Sequence, residues 1–387
     1  MSSDLFTLLL TFLMSVVSPE PQSFAEIDRT AGEGIRRGIY PGAVVVIGRK
    51  DSIIYARGYG HFTWNPRSPV PTPDSTYWDI ASITKVVGTT SAVMRLVDAG
   101  RMDLNAPVSR YLPRFSGGPK DQVTVRMLLD HTSGLRSYAP LFKEARSRAA
   151  AIELLYTERL NRRPGESPVY SDLNAILLGL AVENVTGMPL DQFVQREVFD
   201  PLGMEQTTYR VPTSRQRRTV PTALWRGVPV QGQVNDPNAA VLGGAAGHAG
   251  IFSTGMDLAR YAQVWLRGGA GPRGQWVSSA TMRHFLARSS TSGPRLLGWD
   301  TPELNEDQPS LYGTLISDAA YGHTGFTGTE LWVDPTRDLF MVFLTNRTFD
   351  PRGPHASHGL RSIRTELSDA AIRLVPHSCQ QELVSQC

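Results

Sequence analysis

Hydrophobic and polar positions alternate along this chain in two rhythms, and each rhythm keeps to its own part of the sequence. Near the front, Ala43-Val44-Val45-Val46-Ile47-Gly48 is an unbroken apolar run. Arg49-Lys50-Asp51-Ser52 is polar, and Ile53 to Gly60 returns as a second run. Two runs around a short polar turn predict an antiparallel hairpin, and the first is apolar enough for a strand buried on both faces. A helix from Phe24 to Arg37 is expected just before it. The middle of the chain keeps a helical period. Ile83, Val86, Val87, Val93, Met94 and Val97 share one face of a long helix that opens near Ser82 and stops at Gly100. Thr124 reads as the N-cap of a short helix through Asp130. Asp172 reads as the cap of a helix from Asn174 to Val185, ended by Gly187. Helical stretches also run from Pro189 to Val198, Asp257 to Leu266 and Ser278 to Ala287. Strand patterning returns in the last third. Tyr321 to Glu330 leads into Leu331-Trp332-Val333, a turn at Asp334 to Asp338 follows, and Leu339 to Asn346 is apolar. A helix from Leu360 to Leu374 closes the chain. There is no internal repeat.

Strands at both ends with helices between them predict an α+β fold. Its antiparallel sheet is built from both chain ends and flanked by helices, and a mostly helical subdomain is inserted. The expected division is an α/β part over 26–75 and 290–375, a helical part over 76–289 and a tail over 376–387. Ser82 then falls at the junction, a usual place for a cleft.

Composition narrows the function classes. The 387 residues are 41% apolar and 19% charged, as in ordinary globular proteins. The net charge of +3, from 39 basic and 36 acidic residues, comes with no dense basic run interleaved with aromatics, so nucleic acid is not an expected partner. Cys379 and Cys387 are the only cysteines and lie at the very end, too late to staple a core or cage a metal. The apolar stretch Leu5 to Val17 has the length of a signal-peptide core. Small residues Ser23 and Ala25 suit cleavage before Glu26, although no Lys or Arg precedes the stretch. Residues 1–25 are therefore expected to be a leader for export to the periplasm or the medium, with no stable span after cleavage. A retained membrane anchor is the alternative reading.

The chemistry is expected to start at Asp79-Ile80-Ala81-Ser82-Ile83-Thr84-Lys85. Residues three apart on a helix are neighbours, so the Lys85 amine can reach the Ser82 hydroxyl. A serine hydroxyl needs a base before it attacks, and lysine can be that base only if its surroundings lower its pKa. Arginine, which stays protonated, could not substitute. The chain has only four lysines among its 39 basic residues, yet it places one here. Taken alone the pairing is weak, because roughly one Ser-x-x-Lys is expected by chance in a chain of ordinary composition.

Further stretches give it context. Tyr170-Ser171-Asp172 precedes a helix, His323-Thr324-Gly325 lies in the strand-rich end, and Leu128 to Leu135 and Asp200-Pro201-Leu202-Gly203-Met204 lie between. In this order they resemble the serine β-lactamase and penicillin-binding-protein family, and most closely its class C β-lactamase-like branch with D-Ala-D-Ala carboxypeptidases and esterases. That family carries Ser-x-x-Lys, then Tyr-x-Asn or Ser-x-Asn, then Lys-Thr-Gly on a strand. The likeness runs from about Ile27 to Leu374.

The resemblance implies a β-lactamase/transpeptidase-like fold and an acyl-serine intermediate on Ser82. It implies proton transfer by Lys85 or Tyr170, without deciding which is the base. The oxyanion hole would be the backbone N–H groups of Ser82 and Phe326, and substrate would be held by Asp172, His323, Thr324 and Gly325. No cofactor or metal is expected. The expected partner is a small molecule or peptide with a scissile acyl group.

Two departures matter. His323 stands where lysine is commonest and Asp172 where asparagine is commonest, and both weaken the case for holding an anionic substrate as β-lactamases do. Asn346 and Arg347, just past the next strand, are candidates to replace the missing positive charge. The resulting order of expectation is a hydrolase of D-Ala-D-Ala-type peptides or related amides, then an esterase or acyl transferase, then a β-lactamase. A penicillin-binding sensor that acylates without turnover is the alternative from another class. His131 and His248 read as structural, with His248 a weak candidate for the cleft, and His355 and His358 as solvated rather than metal ligands. The chain has no His-Glu-x-x-His and no Gly-x-Ser-x-Gly.

Overall fold

The structure, a computed structural model, describes residues 24–288, 293, 295–302, 310–350, 352 and 356–375. The expected leader lies almost wholly outside the described residues. So do the 376–387 tail with Cys379 and Cys387, His355, and the side chain of His358.

A five-stranded antiparallel sheet forms the centre. Its strands are β1 (Gly42–Gly48), β2 (Ile53–Gly60), β3 (Tyr321–Thr324), β4 (Glu330–Asp334) and β5 (Leu339–Thr345), in the spatial order β2-β1-β5-β4-β3. Strand β1 lies between its hairpin partner and β5, with Ala43 opposite Thr345 and Gly48 opposite Phe340. Both chain ends therefore make one sheet, as the patterning predicts.

Alternate side chains separate into two cores. Val44, Val46, Leu331, Val333, Phe340, Val342 and Leu344 join the large core. Ala43, Val45, Ile47, Trp332, Met341 and Phe343 face a smaller one. Helices α1 (Ala25–Arg36) and α5 (Ala356–Arg373) cover that smaller core with Ile27, Ala31, Ile363 and Leu367. This explains the unbroken apolar run in β1, all seven of whose residues are buried. Each fully buried aliphatic side chain there contributes about 1.5–3 kcal/mol relative to exposure.

Further helices are α2 (Ser91–Asp98), α3 (Asp172–Thr186), which brings Asp172 to the cleft, and α4 (Gly255–Leu266). Helix α4 falls within the 76–289 stretch but packs on β1, β4 and β5. It approaches closely because Gly255 has no side chain. A Cβ there would come within 2.8 Å of Val44 and 2.9 Å of Val46. Trp265 of this helix meets Trp299 edge-on at 5.0 Å, and Trp299 meets Tyr321 of β3 at 5.1 Å.

The helix expected from Ser82 to Gly100 is not regular. It opens as a 3-10 turn (Ala81–Ile83), widens to a π turn (Lys85–Thr90) and becomes α-helical only in α2. The Val86 carbonyl inside the widened turn accepts from Ser91 Oγ and from Tyr261 Oη, both at 3.1 Å. Those hydroxyls supply partners outside the ordinary i to i−4 ladder, and hydrophobic periodicity cannot register them. Among the described residues, no single helix is long and apolar enough to cross a membrane.

Candidate active site

Four carboxylates, three arginines and two histidines line a cleft of about 640 Å³ with Ser82, Tyr138 and Tyr170. Ser82 reaches it from the first helical turn. Asp79 shapes that turn by accepting the Ala81 N–H at 2.9 Å while its other oxygen accepts the Asn235 N–H at 2.7 Å. Ala81 consequently sits at φ +48°, an uncommon conformation for a residue with a side chain.

Lys85 stands behind the serine, almost fully buried. Its amine donates to Ser82 Oγ at 2.9 Å and to the His248 carbonyl at 3.3 Å, and it pairs with Asp172 Oδ1 at 2.7 Å. It also lies 4.9 Å from the centre of the Tyr170 ring. The Tyr170 hydroxyl interacts electrostatically with Lys85 and Ser82. Serine hydroxyl, amine and phenol thus converge, although 85 residues separate Lys85 from Tyr170 in the chain.

The electrostatics differ from the expectation for a lysine base. Burial disfavours the charged amine, but Tyr170 and then Asp172 outweigh it and hold the Lys85 pKa above its usual value. Burial also raises the Tyr170 phenol. Lys85 opposes that shift and Asp172 adds to it. The resting pair is therefore an ammonium and a neutral phenol. Asp172 adds to both shifts, and it does not cap its helix. Ser171 occupies the cap position of α3 without a side-chain cap bond, and Asp172 is the first helical residue with its carboxylate turned to Lys85.

Both histidines against Tyr170 are neutral. His131 lies 4.9 Å from the Tyr170 ring, and its Nδ1 accepts from the Ser171 N–H at 3.2 Å and from Asn174 Nδ2 at 3.0 Å. Those donors place its proton on Nε2. Burial, helped by Arg295 and Lys85, pushes its pKa well below the usual value. His323 is 5.8 Å from the same ring. Burial lowers its pKa to about 4 although Asp300 opposes the shift. It donates from Nδ1 to the Thr324 carbonyl at 2.8 Å, which leaves Nε2 a buried acceptor without a hydrogen-bond partner. A lysine cation has no counterpart here.

Thr324, Gly325 and Phe326 line the opposite wall. The turn after β3 is fastened to the backbone just before Ser82, because Thr327 Oγ1 donates to the Asp79 carbonyl at 2.7 Å and Thr329 Oγ1 to the Ile80 carbonyl at 3.0 Å. The fit leaves no room at Gly325, where a Cβ would collide with Thr329 Oγ1 and the Ile80 carbonyl. Gly325→Ala is therefore expected to destabilise the fold by about 1–3 kcal/mol, the usual cost of overpacking. On the acyl-serine expectation it should also slow acylation of Ser82. A denaturation midpoint and a single-turnover acylation rate measure the two effects.

Arg347 reaches the cleft and lies over the Phe326 ring at 4.7 Å. Asn346 is turned away, its amide donating to the Phe62 and Pro221 carbonyls at 2.9 and 3.0 Å. His248 borders the cleft with Nε2 against Asp236 at 2.9 Å. Asp79, Thr327, Thr329 and Asp236 carry no sequence signal of their own, since each acts through a partner far away in the chain.

The beta-lactamase family model matches residues 27–363. The chain belongs to the beta-lactamase family. This beta-lactamase-family chain is 33% identical over 362 residues to the N-acetylmuramyl-L-alanine amidase of Bacillus subtilis (strain 168), covering 84% of this chain and 81% of that protein. It is 29% identical over 373 residues to an Escherichia coli (strain K12) protein described provisionally as a D-alanyl-D-alanine carboxypeptidase, with 86% of each covered. Among solved structures, a penicillin-binding protein homologue from Caulobacter crescentus superposes with a TM-score of 0.71 at 22% identity, over 92% of this chain and 98% of that one. EstCE1, a hydrolase with promiscuous acyltransferase activity, gives 0.70 at 22% identity over 92% and 100%. The family and fold are those the ordered motifs imply.

Proposed function

We propose that this member of the beta-lactamase-fold serine hydrolases forms an acyl-enzyme on Ser82 and releases it to water, with D-Ala-D-Ala-type peptides or related amides as its substrates. The observation that carries the reading is the contact of Lys85 Nζ with Ser82 Oγ at 2.9 Å, beneath Tyr170 in an open cleft. Ser82 Oγ attacks the scissile carbonyl as its proton passes into the Lys85–Tyr170 pair, and the same pair returns a proton to the leaving amine. The N–H groups of Ser82 and Phe326 are assigned to the oxyanion. Arg347 is the cation we assign to a terminal carboxylate, since His323 is neutral. The relatives named for cell-wall substrates agree with an exported enzyme.

Neutral His323 also favours a second substrate, an ester with no carboxylate to anchor. A panel of D-Ala-D-Ala peptide, a chromogenic cephalosporin and a short-chain nitrophenyl ester separates the cases, with fluorescent penicillin as the probe of acylation. Peptide turnover supports the first reading and ester turnover alone the second. Labelling without any turnover identifies a sensor.

The ion pair of Lys85 with Asp172 sets an expected pH dependence. The proton-accepting form of the Lys85–Tyr170 pair carries one proton fewer than the resting form, so kcat/KM should rise with pH. Asp172 raises the pKa of both groups. Asp172→Asn removes that charge, lowers both, and is expected to move the rising limb to lower pH. A limb that stays in place or moves upward refutes the assignment.

A further inference from the structure

The segment from Thr207 to Asn235 contains Arg210, Arg215, Arg217, Arg218 and Arg226 and no Asp, Glu or Lys. Its five positive charges exceed the net +3 of the whole chain, so the remainder is net negative. Within it, Ala223–Trp225 and Val228–Val230 form a two-stranded hairpin, with Trp225 opposite Val228 and Leu224 opposite Pro229. Residues 224–229 are all exposed, Trp225 to 69% and Val228 to 64%. Cross-strand partners share a face, and successive residues alternate. Trp225 with Val228 therefore projects from one face and Leu224 with Pro229 from the other, and the end of the finger is exposed on both faces.

A two-stranded ribbon is marginal in water without a third layer, and an exposed tryptophan at its tip adds nothing to the fold. Arg226 lies over the Trp225 ring at 5.8 Å and turns the hairpin at φ +50°. Of the other arginines, Arg210 pairs with Asp191, Arg215 donates to the Tyr77 hydroxyl and Arg218 to the Ser75 carbonyl. Arg217 is exposed, and only Arg210 has a carboxylate partner among these contacts.

We propose that this hairpin is an interfacial finger that docks the protein on an anionic lipid surface. Tryptophan and arginine are the side chains that settle at the boundary between headgroups and acyl chains. Each arginine near an anionic surface adds attraction that salt screens. The small apolar tip favours lipid over a protein partner, because a stable protein interface buries roughly 800 Å² per side. Four apolar side chains at the end of a ribbon fall far short of that area, whereas they suffice for a shallow wedge assisted by charge. The foot of the finger is tied to the cleft. Asn235 donates its N–H to Asp79 and its amide to the Thr222 carbonyl, and the Pro221 carbonyl receives Asn346. Docking through the tip holds the mouth of the cleft near the lipid surface.

The test is co-sedimentation of the full chain with phosphatidylcholine vesicles, with and without phosphatidylglycerol, at low and high salt. The N-terminal apolar stretch is common to wild type and variants, so the difference between them reports the hairpin. Binding is expected only with phosphatidylglycerol and is expected to weaken with salt. Trp225→Asp should reduce it about tenfold or more, and Arg217→Gln with Arg226→Gln about tenfold. Trp225→Leu keeps the apolar contact. It should bind nearly as wild type while losing part of the fluorescence quenched by brominated lipid. Ester or peptide turnover in solution and the thermal midpoint should not change in any variant. Equal binding by wild type and Trp225→Asp overturns the proposal, as does binding indifferent to phosphatidylglycerol or undiminished quenching in Trp225→Leu.

Discussion

Arginine at position 85 is expected to lower kcat/KM by about a thousandfold, the scale of a lost general acid–base group, while leaving the positive charge in place. The amine is compact, and its protons serve Ser82 Oγ, the His248 carbonyl and Asp172 at once. A guanidinium is larger and planar, and it cannot give up its proton, so it preserves the pair with Asp172 and nothing else. Lys85→Met removes the charge as well and leaves Asp172 facing Tyr170 without its cation. That variant should lose stability in addition to activity, by less than the roughly 3–5 kcal/mol of a fully buried pair, since the Asp172 side chain is 19% exposed. Steady-state kinetics and denaturation measured on both variants separate the chemical role from the structural one. Near-wild-type turnover by Lys85→Arg would remove Lys85 from the proton path.

Ser82→Ala is expected to have a larger effect still, on the order of a millionfold in kcat, as when the serine of a catalytic triad is removed. Little structural cost accompanies it. Ser82 is partly accessible, and its hydroxyl contacts only groups of the site, so the unfolding free energy should stay within about 0.5 kcal/mol of wild type. Intact-mass measurement after brief exposure to substrate or penicillin gives the direct readout. The wild type should gain the mass of the acyl group and the variant should not. Full activity of Ser82→Ala on every substrate of the panel would falsify the acyl-serine mechanism.

The sheet was readable because both its strand sets are short apolar runs set off by polar turns, and β1 announces its double burial by having no polar residue at all. The motifs also led to one place. Ser82, Lys85, Tyr170, Asp172 and His323 to Phe326 all meet at the cleft, from three widely separated parts of the chain. What stayed hidden depends on partners rather than on residue type. The widened turn after Ser82 needs the Tyr261 hydroxyl, which comes 175 positions later than Val86. The function of Asp172 changes from cap to counter-ion because Lys85 is within 2.7 Å, a distance no local pattern encodes. Burial pushes the His323 pKa down to about 4, and its neighbours in sequence do not show that burial.

The fastening of Thr327 and Thr329 to the Asp79 and Ile80 carbonyls has a consequence for the life of the chain. Ser82 is synthesised early and Phe326 late, and the wall opposite the nucleophile exists only once β3, β4 and β5 have added to β1. Pairings so distant in sequence form late in folding. On the proposed mechanism, a growing or truncated chain carries its nucleophile with no oxyanion hole to serve it. Hydrolytic competence then arrives in one step, when the last strands close the sheet, and it reports completion of the fold.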